Sequence, residues 1–145
     1  MKKFGISTLI FQAIGWLFLV YLIVMQGVSA FNYELGVAMG AQEPAETVSE
    51  VGVAFWKGFA VADIATYIPL LMLGLLGSLL GRAWGRVALA AALGITIYWP
   101  VVCLVTIVQA RGAEGWSVTE QTAYWITLPL IALWGVWGLW RLLRS

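Results

Sequence analysis

Apolar residues fall along this chain in four long runs, 4–28, 53–80, 87–109 and 118–139, broken by short polar segments. Continuous length, rather than a polar face recurring every turn, dominates the pattern. Crossing about 30 Å of hydrocarbon takes roughly 20 apolar residues of helix, so each run predicts a transmembrane helix. The sizeable gap is 29–52, where Gln42-Glu43-Pro44 reads as a turn before a helix starting around Ala45. Lys2 and Lys3 before the first run, with Val28-Ser29-Ala30 after it, loosely resemble a secretory leader and its cleavage site. The run is longer than the roughly 7–15 apolar residues of such leaders, so the first helix is read as a retained span.

Composition agrees with this reading. The chain of 145 residues is 62% hydrophobic and 10% charged, whereas soluble domains are about 45–50% apolar and about 25% charged. A soluble fold of this size has too little interior to hide so much apolar surface. The expected class is all-α: a polytopic membrane protein, one membrane domain over 1–145 built as a four-transmembrane-helix bundle. Charge sets its orientation, because Lys and Arg beside spans are retained on the cytoplasmic side. Lys2, Lys3, Arg82, Arg86, Arg141 and Arg144 fall at the ends that an up-down bundle places on one face. Glu34, Glu43, Glu46, Glu50, Glu114 and Glu120 fall toward the other. Both termini are therefore expected in the cytoplasm. Trp56 and Trp116 then mark the outer boundary and Trp84 and Trp140 the inner one, as amphipathic rings prefer.

The same inventory narrows the chemistry. Cys103 is the single cysteine and histidine is absent, which leaves no disulfide within the chain, no cysteine-rich metal site and no imidazole proton shuttle. No metal or cofactor is expected. With a net charge of +1 and thinly spread cations, the chain has no footprint for nucleic acid.

Asp63 is the one acid inside a span. An intramembrane carboxylate costs about 2.5–3.5 kcal/mol on insertion scales, so it faces the bundle interior and has a partner. Helical spacing puts Thr66, Tyr67 and Leu70 on its face. Thr96, Trp99, Cys103 and Thr106 form a stripe on span three, with Tyr98 and Gln109 nearby. Span four contributes Tyr124, Trp125 and Thr127, and span one adds Tyr21 and Gln26. These groups lie in the outer half. The inner half carries small residues, including Gly74, Gly77, Ser78 and Gly81, which let helices approach closely. Pro69, Pro100 and Pro129 stand near the middle of three spans, and kinks there would splay the outer halves into a chamber. The expected ligand-binding set is Asp63, Thr66, Tyr67, Tyr98, Trp99, Tyr124, Trp125 and Thr127.

Plainer roles compete for each feature. Mid-span prolines occur as purely structural kinks, and Asp63 bonded to Tyr98 or Tyr124 would be bundle glue. Trp16, Trp99, Trp125 and Trp134 suit packing as well as a ligand cage. Cys103 suits a small buried hydrophobe, and Gly135 and Gly138 suit lateral association with another protein.

Phe55-Trp56-Lys57-Gly58-Phe59, then Asp63 and Pro69, resembles the second membrane helix of the EXPERA proteins, a family that includes the sigma-2 receptor and the emopamil-binding sterol isomerase. Tyr124 and Leu128-Pro129 are similar to an element of that family's last helix. The resemblance implies a lipid-accessible cavity for sterols or cationic amphiphiles, with Asp63 pairing a ligand amine and Tyr67 and Tyr124 lining the pocket. Span one lacks the second carboxylate of receptor-type members, and the isomerases' further acids and histidine are absent. Binding is thus favoured over catalysis. The expected function is a non-enzymatic bundle that takes up a small hydrophobic or cationic amphiphilic ligand. Its expected partners are membrane lipids and that ligand, with a homo-oligomer or a larger membrane complex left open. The alternatives are an accessory subunit of a larger complex, or a transporter or proton-path element, for which the chain is short and needs oligomerisation. The compact loops and lysine-led start suggest a bacterial inner membrane.

Overall fold

The computed structural model describes residues 5–119 and 121–144. Lys2, Lys3 and the Phe4 start of the first predicted span, with Glu120, lie outside them. The described chain is helical throughout: α1 (Ile6–Phe31), α2 (Tyr33–Ala38), α3 (Ala45–Ala62), a π-helical turn (Asp63–Tyr67), α4 (Ile68–Leu79), α5 (Ala83–Gln109) and α6 (Thr122–Leu143). α1, the Ala45–Leu79 rod with its break at Ser49 (φ 63°), α5 and α6 are each long and apolar enough to cross a membrane, and the chain is a multi-pass integral membrane protein. α1 runs past Val28 to Phe31, and the second rod starts at Ala45 rather than 53. The predicted outer loop shrinks accordingly to a short helix, α2, and the turn that follows it. Span four begins later than 118, because Val118 and Thr119 belong to the preceding loop.

The closest packing joins α4 to α5. A Cβ on Gly77 or Gly85 would overlap the other's backbone, and one on Gly74 would come within 2.6 Å of Leu89 Cα. Small residues here bring two backbones together, which maximises dispersion contact where water exclusion supplies no drive between lipid-facing helices. The connecting turn is built to match. Arg82 N–H donates to Gly77 O at 2.8 Å and Gly81 N–H to Ser78 O at 3.2 Å, with Gly81 at φ 65°, the paired bonds of a Schellman stop.

Around this pair the other helices close the terminus end. Gly15 receives Leu75 and Trp134, Gly135 receives Thr96 and Ile97, and Gly138 receives Phe11 and Leu93. Gly135 and Gly138 are thus used within the bundle. Phe11 stacks on Trp134 with ring centroids 5.0 Å apart, joining α1 to α6. Arg141 of α6 donates to Ser7 O, to Ser7 Oγ and to Thr8 Oγ1, so α1 starts and α6 finishes at the same end of the bundle. Arg82, Arg86, Arg141 and Arg144 gather there. Glu34, Glu43, Glu46, Glu50 and Glu114 belong to the opposite end, which also holds Lys57 over the Tyr33 ring and Arg111 bonded to Gln121.

Packing changes at the π-helical turn. Below it α4 lies along α5 and α1, whereas above it α3 packs chiefly on α1. Ile68 N–H bonds to Asp63 O, five residues back. Pro69 follows, with no N–H and a ring that would collide with the carbonyl one α-turn earlier; the wider turn relieves that collision.

Gly85→Leu is expected to destabilise the bundle by at least about 2 kcal/mol, the range for overpacking an interior. Gly94→Leu, at a site with open space around it, should be silent. Reversible denaturation in detergent micelles compares the two, and equal stability would remove the backbone contact from the account of the fold.

Candidate functional site

A cavity of about 670 Å³ opens where α3 leaves α5. Five segments line it: Phe18 to Gln26 of α1, Trp56, Phe59 and Asp63 of the second rod, Trp99 and Cys103 of α5, the Ala123 to Ile131 stretch of α6, and Gly40 to Glu43 across the mouth. Its size falls within the roughly 300–1,000 Å³ of small-molecule sites.

Asp63 stands at the floor. It is 7% exposed, and among the described residues no hydrogen bond or ion pair meets its carboxylate. One turn on, Tyr67 is fully buried and its hydroxyl shares a 2.5 Å hydrogen bond with Thr96 Oγ1. Thr96 in turn donates to Ala92 O at 2.8 Å. Tyr67 and Thr96 thus tie the π-helical turn to α5 just below Asp63. This strut supports the floor, and Tyr67 contributes no cavity wall.

The mouth is closed by a network. Glu43 accepts from Tyr124 Oη at 2.6 Å through Oε1, and its carbonyl accepts from Tyr33 Oη at 2.8 Å. Beside it Gln42 Nε2 donates to Ser29 Oγ at 3.0 Å. Burial, and next the negative charge of Glu43, push the Tyr33 phenol above its ordinary range. Gly40 at φ 71° lets α2 end with Ala41 N–H on Gly36 O and turn into this cap.

Of the predicted set, the structure brings Asp63, Trp99, Tyr124 and Thr127 to one cavity, together with Tyr21, Gln26 and Cys103. The other four lie elsewhere, Tyr67 in the strut beneath the floor. Thr66 is exposed and returns its hydroxyl to Ala62 O at 2.6 Å. Tyr98 is 66% exposed and Trp125 44% exposed; each adjoins a lining residue, and one step along a helix turns the side chain by about 100°. Thr127 reaches the wall while donating to Ala123 O at 2.7 Å. The expected glue bonds of Asp63 are also missing, since Tyr98 faces outward and Tyr124 is engaged with Glu43. Trp134 serves packing, through its stack on Phe11.

Glu43, Phe18 and Phe59 complete the lining without having been singled out as ligand groups. Glu43 sits in the turn read only as a turn, and its approach to Tyr124 joins residues too far apart in sequence for any spacing rule to link. No group of three or more potential metal ligands occurs among the described residues. Comparisons with family models, with curated proteins and with solved structures find no match to this chain.

Tyr124→Phe removes a hydrogen bond to a carboxylate, and about 1.5 kcal/mol of local stability should go with it. The expected result is faster amide exchange at 40–43 with α5 and α6 unchanged, read by mass spectrometry. Unaltered exchange there would mean that Tyr124 does not hold the cap.

Proposed function

We propose that this protein binds a small hydrophobic or cationic amphiphilic ligand inside the bilayer, with Asp63 as the group that pairs the ligand's polar head. The observation that carries the reading is a carboxylate 7% exposed, facing a cavity of about 670 Å³, with no partner among the described residues. Left ionised and alone it carries the penalty of a bare intramembrane acid, and a ligand ammonium offsets that penalty with a charge-assisted hydrogen bond. Phe18, Trp56, Phe59 and Trp99 supply apolar area and ring faces that attract a cation. An EXPERA-like affinity is part of the proposal, supported by the 55–59 segment, Asp63 and Pro69, with Glu43 entering from the loop where span one has no acid. A bacterial inner membrane, suggested by the compact loops and lysine-led start, is part of the proposal, and the four arginines at the terminus end support both termini in the cytoplasm. Binding rather than catalysis fits a chain without histidine. An accessory-subunit role gains less, because Gly135 and Gly138 are already filled by neighbours within the bundle.

Asp63→Asn keeps the shape of the side chain and removes its charge. Native mass spectrometry of the wild type from its own membrane should show a reproducible small ligand, and the variant should bind it at least about tenfold more weakly while melting normally. A stoichiometric protein assembly with no small ligand in the wild type would overturn the proposal.

A further inference from the structure

The cavity holds two carboxylates at different heights and, among the described residues, no lysine or arginine lines it. Asp63 at the floor is unpartnered, and Glu43 at the mouth takes one donor, Tyr124, of the several that two carboxylate oxygens accept. A ligand with a single cation would neutralise Asp63 and leave the half-buried Glu43 with Tyr124 as its one donor. The wall between them is Phe18, Phe59 and Trp99, apolar and aromatic. Its height follows from the helices: on α1 the lining runs from Phe18 to Gln26 and on α6 from Ala123 to Ile131, each about 12 Å at roughly 1.5 Å per residue.

We infer that the ligand is a linear α,ω-diamine or a bis-cationic amphiphile of similar length. One ammonium binds Asp63, the second binds Glu43, and the apolar chain lies between them along the aromatic wall. The inference rests on the proposed ligand-binding role of the cavity and adds the second head. It also gives the cap a purpose: Tyr124 orients the Glu43 carboxylate across the mouth while leaving its other oxygen for the ligand.

The test is calorimetric titration of the full chain in nanodiscs of zwitterionic lipid, with empty nanodiscs as reference, using decylamine, diaminodecane and diaminoethane as probes. Diaminodecane should bind about tenfold or more tightly than decylamine, as expected for one added charge-assisted contact. Diaminoethane, too short to reach across about 12 Å, should lose that advantage. Glu43→Gln should abolish the preference, bringing diaminodecane down to the affinity of decylamine, and an unchanged melting temperature shows that the variant is folded. Glu43→Asp, which keeps the charge, should retain the preference. Asp63→Asn should weaken both long probes. Equal binding of the two long probes by the wild type, with decylamine still dependent on Asp63, overturns the two-headed ligand and leaves the cavity reading standing. Failure of every amine to bind the wild type overturns both.

Discussion

The direct contact of the α4 and α5 backbones at Gly77 and Gly85 governs the rest of this bundle. Two helices that close leave no room for side chains between them, so all bulk must go to the flanks, where Leu71, Leu75, Leu89 and Leu93 build the core with Phe11 and Trp134. Those residues fill the terminus end so completely that α1 and α6 are drawn in against it, with Arg141 binding the start of α1 across the seam. A bundle anchored firmly at one end can tolerate separation at the other. The cavity occupies that other end, beyond the point where α3 and α5 part.

The prolines contribute unequally to this division. Pro69 sits at the boundary between the two regimes, and its incompatibility with a normal α-turn accompanies the wider turn that carries Asp63. Pro100 is buried one turn after Thr96, the residue that meets Tyr67. The wider turn and a hydroxyl pair are thus placed at one level, and together they make the floor of the cavity. Above it, Glu43 with Tyr33 and Tyr124, and Gln42 with Ser29, form a closure of three polar contacts rather than packed hydrocarbon, an end easier to open than the core.

Much of this was legible in the order of residues. The four helices followed from apolar length, because a bilayer demands that length regardless of partner. Asp63 stood out because a lone acid in hydrocarbon needs a reason. The faces of the helices were harder. In a soluble protein polar residues mark the side that meets water, but in lipid both sides are apolar, and Tyr98 and Trp125 could not be told from Trp99 and Tyr124 by spacing. Glu43 escaped for a different reason: it belongs to a loop, and nothing local announces that a turn will fold back over a cavity and meet a tyrosine on the last helix.

The π-helical turn has one more consequence. A turn of this kind fits an additional residue into the helix, so everything on its N-terminal side is rotated by about 100° relative to the axis set by α4. Trp56 and Phe59 face the interior only because of that offset in register. Loss of a single residue between Asp63 and Tyr67 would leave the glycine contacts of α4 as they are and swing the aromatic wall of α3 around toward lipid. The identity of the cavity is therefore encoded in a count of residues as much as in their kinds.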